Sequence, residues 1–96
     1  MAHDILIVDD EADIRSAVTG ILEDEGYECR TAGDSDQAFE AIRTRRPSLV
    51  LLDIWLQNSA MDGLEILQLL QREHADLPVV MISGHGTIES AVWAIK

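Results

Sequence analysis

Four short strand-like runs alternate with segments whose apolar residues recur at helical spacing, and this alternation constrains the fold most. The runs span residues 4–9, 27–31, 48–53 and 79–82. Three of them are almost continuously apolar, which is typical of strands buried on both faces of a parallel sheet. The run at 27–31 alternates with charged residues and predicts a strand near an edge. The chain therefore predicts a doubly wound α/β fold, a parallel sheet covered by helices on both faces.

Each helical segment carries an apolar face and recognisable ends. The first helix is expected to stop at Gly26, the second to be capped within residues 33–36, and the third to run from Asp62-Gly63 to about Ala75. A fourth is expected from Thr87 onwards. The faces expected to pack on the sheet are Ile14, Ala17, Val18, Ile21 and Leu22 in the first helix, and Leu64, Ile66, Leu67 and Leu70 in the third.

Size and charge limit the classes of protein to which the chain can belong. Its 96 residues suffice for one small domain, and a 47% apolar content is enough to form a core. The formal net charge of −11 argues against unaided binding to nucleic acid or to an anionic membrane surface, and favours divalent cations or a basic partner. The sequence shows neither a basic leader nor an apolar run of membrane length. We therefore expect a single domain over residues 1–96 of a cytoplasmic protein.

Chemically active residues stand where three of the predicted strands end. Asp9 and Asp10 follow the first, Asp53 ends the third, and Ser83 follows the fourth. Because parallel strands end at the same edge, these groups should converge in the crevice where such sheets bind ligands. Taken alone, Asp53 could instead be a helix N-cap or a turn aspartate. The acidic cluster after the first strand favours a functional site.

Three convergent carboxylates would repel one another. Two unit charges about 4 Å apart cost roughly 4 kcal/mol at an effective dielectric constant near 20. Either one carboxyl group stays protonated or a cation binds. Hard oxygen ligands at a crevice suit Mg²⁺, which retains several waters and accepts one or two carboxylates together with a phosphate oxygen.

This constellation resembles the receiver domain of two-component response regulators, over the whole chain. Each motif is weak alone, but four in this order and spacing are specific. The stretches around Asp53 and Ser83 are most similar to receivers of the nitrogen-regulation NtrC/NtrX type. The motifs that carry the resemblance are Ile7-Val8-Asp9-Asp10-Glu11, Leu51-Leu52-Asp53, Met61-Asp62-Gly63 and Ile82-Ser83-Gly84.

The resemblance implies a role for each site residue. Asp53 would be the phosphoacceptor, receiving its phosphoryl group from a sensor histidine kinase with Mg²⁺ as cofactor. Asp10 would bind the ion directly and Asp9 chiefly through water, while the backbone carbonyl of Trp55 would be a further ligand. Ser83 would be the switch hydroxyl. Such a domain assists its own phosphorylation and dephosphorylation without being a turnover enzyme.

The resemblance also implies partners and a topology. Receivers of this type form homodimers and govern ATPase and DNA-binding segments that control transcription. Their strand order is 2-1-3-4-5, with a phosphoryl-contacting lysine at the end of the fifth strand. This chain reaches Lys96 on the predicted fourth helix, so we expect the order 2-1-3-4, an incomplete C-terminus, and self-association through the exposed fourth strand.

The loop after the third strand departs from the family pattern. Gln57 stands where most receivers have proline, and the path from Asp53 to Asp62 is two residues longer than usual. The sequence therefore predicts a more mobile loop and a less certain role for the Trp55 carbonyl.

Two other functions remain open. A haloacid-dehalogenase-type phosphatase also uses an aspartate nucleophile after an apolar strand, but it needs a second acid two residues later, where this chain has Trp55. The other alternative is a pseudo-receiver that is not phosphorylated and acts only as a binding module. The complete set of three aspartates argues against it.

Overall fold

The computed structural model describes residues 3–82, so that Ser83 and the predicted fourth helix lie outside the described residues. Seven elements follow one another, and the four strands form one parallel sheet in the order β2-β1-β3-β4. The predicted fold class and strand order are confirmed. The elements are β1 (Asp4–Val8), α1 (Ala12–Asp24), β2 (Glu28–Ala32), α2 (Ser35–Thr44), β3 (Leu49–Asp53), α3 (Gly63–Glu73) and β4 (Val79–Ile82).

The interior strands β1 and β3 carry the longest apolar runs. Leu6, Ile7 and Val8 in β1 are fully buried, as are Val50 and Leu52 in β3. Burying such a side chain contributes about 1.5 to 3 kcal/mol. Strand β2 is exposed on both faces, at Glu28 and at Thr31, and lies beside β1 at the end of the strand order, which confirms its predicted position at an edge.

Alternate residues of the strands face two different helical layers. The main core lies on the side of α2 and α3, whereas α1 packs against β1 and β2 from the other side. The sheet is therefore covered on both faces, as the sequence predicts. The main core consists of Leu6, Val8, Ala32, Ala38, Ile42, Val50, Leu52, Leu56, Ile66, Leu67, Leu70, Leu77, Val79 and Met81.

Local residues set the ends of the helices. Gly26 follows α1 with φ of +96°, a left-handed conformation that glycine adopts without steric cost. Asp34 caps α2 by accepting a hydrogen bond from the Gln37 backbone N–H. Asp62 and Glu65 form a reciprocal capping box at the start of α3. Helix α3 ends at Glu73, slightly before the predicted end.

Two predicted helix faces are only partly correct. In α1, Ala17 and Ile21 are exposed, and no residue of that helix is fully buried within the part of the chain that the structure describes. Only a narrow stripe of α1 reaches the sheet, so its apolar face is wider than its contact. In α3, Leu64 is 55% exposed. At about 100° per residue it lies nearly opposite Ile66, which faces the core.

An ion cluster ties the amino ends of the strands to α2. Arg30 in β2 makes a bidentate pair with Asp4 in β1, with N–O distances of 2.7 and 3.2 Å. The same guanidinium donates to the backbone carbonyls of Ala41 and Arg45, at the end of α2. Arg45 pairs with Asp4 at 3.2 Å. We call Asp4, Arg30 and Arg45 the amino-edge ion cluster.

Across residues 3–82, no helix combines the length and the apolar character that crossing a bilayer requires.

Candidate functional site

Three aspartates meet at the carboxyl edge of the sheet. Asp9 and Asp10 follow β1 directly, and Asp53 is the last residue of β3. Because Val8 pairs with Leu52 in register, the ends of these two strands lie side by side. One carboxylate oxygen of each aspartate lies within 4.8 Å of the other two. The structure thus brings together the carboxylates that the strand ends predicted, and we call them the acidic trio.

Burial and hydrogen bonding fix the two inner members of the trio. Asp9 is fully buried and Asp53 is 2% exposed, while Asp10 is half-buried. The Glu11 backbone N–H donates to Asp9 Oδ1 at 2.8 Å. The Trp55 backbone N–H donates to Asp53 Oδ1 at 3.0 Å. In each case the backbone N–H two residues after the aspartate donates to its side chain, and this hydrogen bond orients the carboxylate.

Among the described residues, Arg15 acts electrostatically on Asp9 but hydrogen-bonds to its backbone rather than to its carboxylate. Arg15, on α1, donates from Nη1 to the backbone carbonyl of Asp9 at 2.7 Å. Asp9 Oδ2 is buried and has no hydrogen-bond partner among the described residues. A buried carboxylate oxygen without a partner is costly, because its desolvation is not repaid. Sequence reasoning missed Arg15, whose helical position gave no signal of its contact.

The electrostatics reflect this crowding. Burial, together with the Asp9 and Asp10 carboxylates and against the lowering effect of the Trp55 N–H, raises the pKa of Asp53 to about 6. Burial also raises the pKa of Asp9, opposed by the Glu11 N–H. The protein alone therefore disfavours the fully ionised trio, and a bound cation would favour it.

The donor set fits Mg²⁺. All three side chains offer hard carboxylate oxygens within reach of one ion, and Asp9 Oδ2 is an oxygen that lacks a partner in residues 3–82. The ion would leave coordination positions for water and a phosphoryl oxygen. The Trp55 carbonyl as a further ligand stays a prediction.

The start of α3 packs directly against the backbone of the acidic site. A Cβ atom at Gly63 would overlap the Asp53 carbonyl oxygen and lie 2.9 Å from both the Cα and the carbonyl oxygen of Ile54. Only glycine allows this approach, so that Gly63 lets α3 support the end of β3.

The loop between β3 and α3 has an unexpected anchor. Ser59 Oγ accepts a hydrogen bond from the Ser35 N–H at 2.8 Å and donates to the Met61 carbonyl at 2.7 Å. Ser35 Oγ accepts from the Met61 N–H at 3.2 Å. We call this set the serine clasp. Sequence reasoning missed it because its partners lie 24 to 26 residues apart, and local patterns carry no signal at that distance.

Trp55 and Ser83 are the remaining predicted site residues. The Trp55 indole is 59% exposed and its backbone adjoins Asp53. Ser83, the predicted switch hydroxyl, lies outside the described residues.

A 2-1-3-4 parallel sheet with an acidic trio at its carboxyl edge defines a class of signalling domain. Residues 5–96 match the family model of the response regulator receiver domain, and the chain belongs to that family. It is a receiver domain of the two-component systems, as the sequence resemblance indicated.

Relatives of the NtrX type match almost the whole of this chain, which confirms that part of the resemblance. Over 96 residues, 67% are identical to the nitrogen assimilation regulatory protein NtrX of Azorhizobium caulinodans, covering all of this chain and 21% of that protein. A putative NtrX-like response regulator of Rickettsia bellii is 53% identical over 93 residues, covering 97% of this chain and 20% of that protein. The chain thus spans about a fifth of the length of these curated relatives.

Solved structures agree with this assignment. The receiver domain of NtrX from Brucella abortus superposes with a TM-score of 0.84 at 63% identity, covering 96% of this chain and 77% of that one. The N-terminal domain of a response regulator receiver protein from Methanoculleus marisnigri gives a TM-score of 0.80 at 34% identity, covering 93% and 72%.

Proposed function

We propose that the domain is a phosphorylation switch in which Asp53 accepts a phosphoryl group from the phosphohistidine of a sensor histidine kinase. The observation that carries the proposal is the acidic trio, with Asp53 buried at the end of an interior strand and oriented by the Trp55 N–H. Family membership supports it, because accepting phosphoryl groups is the norm for receivers.

The reacting atoms follow from this placement. The free oxygen of Asp53 attacks phosphorus in line with the departing histidine nitrogen. The P–N bond breaks, its electron pair stays on the imidazole, and a P–O bond forms on Asp53. The Trp55 N–H holds the other carboxylate oxygen and so fixes the direction of attack. Catalysis is therefore mainly positioning, and we infer that the domain is not a turnover enzyme.

Asp9, Asp10 and Asp53 are the residues that would hold Mg²⁺. When bound, the ion supplies positive charge that offsets the repulsion between carboxylate and phosphoryl oxygens. By keeping Asp53 ionised near neutral pH, this charge complements a carboxylate whose pKa is raised to about 6.

In this proposal, the segments that respond to phosphorylation are other parts of the protein. By likeness to the NtrX-type relatives, which are about five times longer, we propose that phosphorylation acts on ATPase and DNA-binding segments and controls transcription in nitrogen regulation. A receiver homodimer and a location in the cytoplasm belong to the same proposal. The net charge of −11 fits a domain that does not itself bind nucleic acid.

The phosphatase alternative is disfavoured by residue 55. An enzyme of that type needs a carboxyl group there as general acid, and the chain offers an exposed indole instead. The pseudo-receiver alternative makes a different prediction, because it requires Asp53 to remain unmodified.

A small phosphodonor tests the assignment. Acetyl phosphate with Mg²⁺ should add one phosphoryl group to the chain, seen by intact mass and removed by hydroxylamine. Asp53→Asn should take up none, whereas Asp24→Asn, which changes an exposed aspartate at the end of α1, should be labelled like the wild type. Labelling of Asp53→Asn would show that the phosphoacceptor is another residue, and an unlabelled wild type would favour the pseudo-receiver.

A further inference from the structure

The loop from Ile54 to Met61 carries the backbone that adjoins the acidic trio. Its beginning is held by the Ile54 N–H, which donates to the Ile82 carbonyl at 2.9 Å, and by the Trp55 N–H on Asp53. Leu56 is buried in the main core. These contacts belong to the first half of the loop, where the direction of the Asp53 carboxylate is set.

The second half of the loop has to return to α3 through a sharp turn. Asn58 has φ of +54°, in the left-handed region, which asparagine tolerates better than most residues other than glycine. Both Gln57 and Asn58 are exposed, so that packing does not hold them. The position of this turn therefore depends on contacts made by the residues that flank it.

The serine clasp supplies that contact directly after the turn. Ser35 is 2% exposed and is the first residue of α2, whose backbone N–H groups in the first turn lack helical partners. Ser59 satisfies one of these N–H groups and at the same time holds the Met61 carbonyl. Ser35 Oγ completes the set by accepting from the Met61 N–H. Two hydrogen bonds thus fasten the end of the loop to a helix that itself packs on β1 and β2, and a third ties Ser59 to Met61 within the loop.

We propose that Ser35 and Ser59 are positioning residues of the phosphorylation site. Through the clasp they hold the loop so that the Trp55 backbone stays against Asp53, although neither serine touches the reacting atoms. This inference rests on the proposed function of the acidic trio.

The expected effect is on Mg²⁺ binding and phosphorylation more than on folding. Ser59→Ala removes two of the three hydrogen bonds at a half-buried position. We expect Mg²⁺ affinity to fall about three- to tenfold, at the low end of what removing groups that orient metal ligands costs. Acetyl phosphate labelling should slow to a similar extent.

The test uses Trp55 as a reporter in the whole 96-residue chain. Because Trp93 is the other tryptophan, all variants carry Trp93→Phe, and Mg²⁺ is titrated by fluorescence alongside labelling rate and urea unfolding. Ser59→Ala and Ser35→Ala should both weaken binding, and Ser59→Thr, which keeps a hydroxyl group, should restore most of it. Thr44→Ala is the matched control, since it removes a 2.9 Å hydroxyl-to-backbone hydrogen bond at the far end of α2, and should bind as the parent does.

The outcomes separate this inference from the function on which it rests. If the parent protein binds Mg²⁺ and is labelled while Ser59→Ala does both equally well, the positioning role is wrong and the proposed function stands. An equal loss in Thr44→Ala would also overturn it, because the effect would then follow from general destabilisation. A parent protein that neither binds Mg²⁺ nor becomes labelled refutes both.

Discussion

Strand β1 has an aspartate at each end, and the protein treats the two differently. At the amino end, Asp4 accepts hydrogen bonds from Arg30 at 2.7 and 3.2 Å and from Arg45 at 3.2 Å. At the carboxyl end, the neighbours of Asp9 are Asp10 and Asp53. Asp4 and Asp9, five residues apart in sequence, thus differ in whether residues 3–82 supply the opposing charge.

The difference teaches how to tell a structural charge from a functional one. The amino-edge ion cluster is complete, because its carboxylate and guanidinium groups satisfy each other and the end of α2. The acidic trio is incomplete, because burial raises the pKa of Asp53 and Asp9 Oδ2 has no partner within residues 3–82. We propose that a cation from solution, Mg²⁺, completes it.

The largest expected effect comes from removing Asp10, a proposed ligand of the metal ion. Asp10→Ala should lower Mg²⁺ affinity by well over tenfold and abolish the Mg²⁺-dependent change in Trp55 fluorescence, because a direct ligand is lost. It should also abolish stabilisation by Mg²⁺ in urea unfolding. Asp4→Ala serves as the comparison at the other edge, and its Mg²⁺ affinity should be unchanged. Equal titrations of Asp10→Ala and the wild type would refute the metal assignment.

The second expected effect comes from disrupting the amino-edge ion cluster at Asp4. Asp4→Ala leaves Arg30, whose side chain is 24% exposed, without its carboxylate partner. We expect a loss of roughly 2 to 3 kcal/mol in the free energy of unfolding, below the range for fully buried pairs because some solvent reaches the guanidinium. Urea unfolding measures the loss, and a double-mutant cycle with Arg30→Met isolates the pair. Additive losses would mean that the pair contributes nothing of its own.

The third effect exploits the raised pKa of Asp53. Its folded pKa of about 6 exceeds the ordinary value of 3.8, so the folded protein binds the proton more tightly than the unfolded chain does. The stability that this proton contributes is complete below about pH 4 and is lost as pH rises through about 6. In EDTA, Asp53→Asn should therefore be more stable than the wild type by about 3 kcal/mol at pH 8, and nearly equal to it near pH 3.5.

Mg²⁺ sharpens that third prediction. With saturating ion, the wild type should regain stability above pH 6, because ionised Asp53 is then favoured. Asp53→Asn should respond much less. Urea unfolding across pH 3.5 to 8, with and without the ion, measures both. A stability difference between Asp53→Asn and the wild type that does not grow with pH in EDTA would contradict the sign argued here.

Sequence patterns predicted those features that depend on local order or on strand direction. Apolar runs and strand–helix alternation gave the sheet, and parallel strand ends gave the convergence of Asp9 and Asp53. Helix burial was predicted less well, because periodicity does not say what covers each side, and Ile21 is 63% exposed. The serine clasp and the contact of Arg30 with Asp4 join residues 24 to 26 positions apart, so no local pattern could reveal them.

The smallest expected effect tests how far the amino-edge cluster depends on each member. Arg45 is 60% exposed and pairs with Asp4 at 3.2 Å, whereas Arg30 is bidentate and more buried. Solvent screens the Arg45 pair, so Arg45→Ala should cost only about 0.5 kcal/mol of unfolding free energy, and less at 0.5 M salt. Arg43→Ala is the matched control, because Arg43 pairs with Glu40 on the exposed face of α2. A loss as large as that of Asp4→Ala would mean that Arg45, rather than Arg30, completes the cluster.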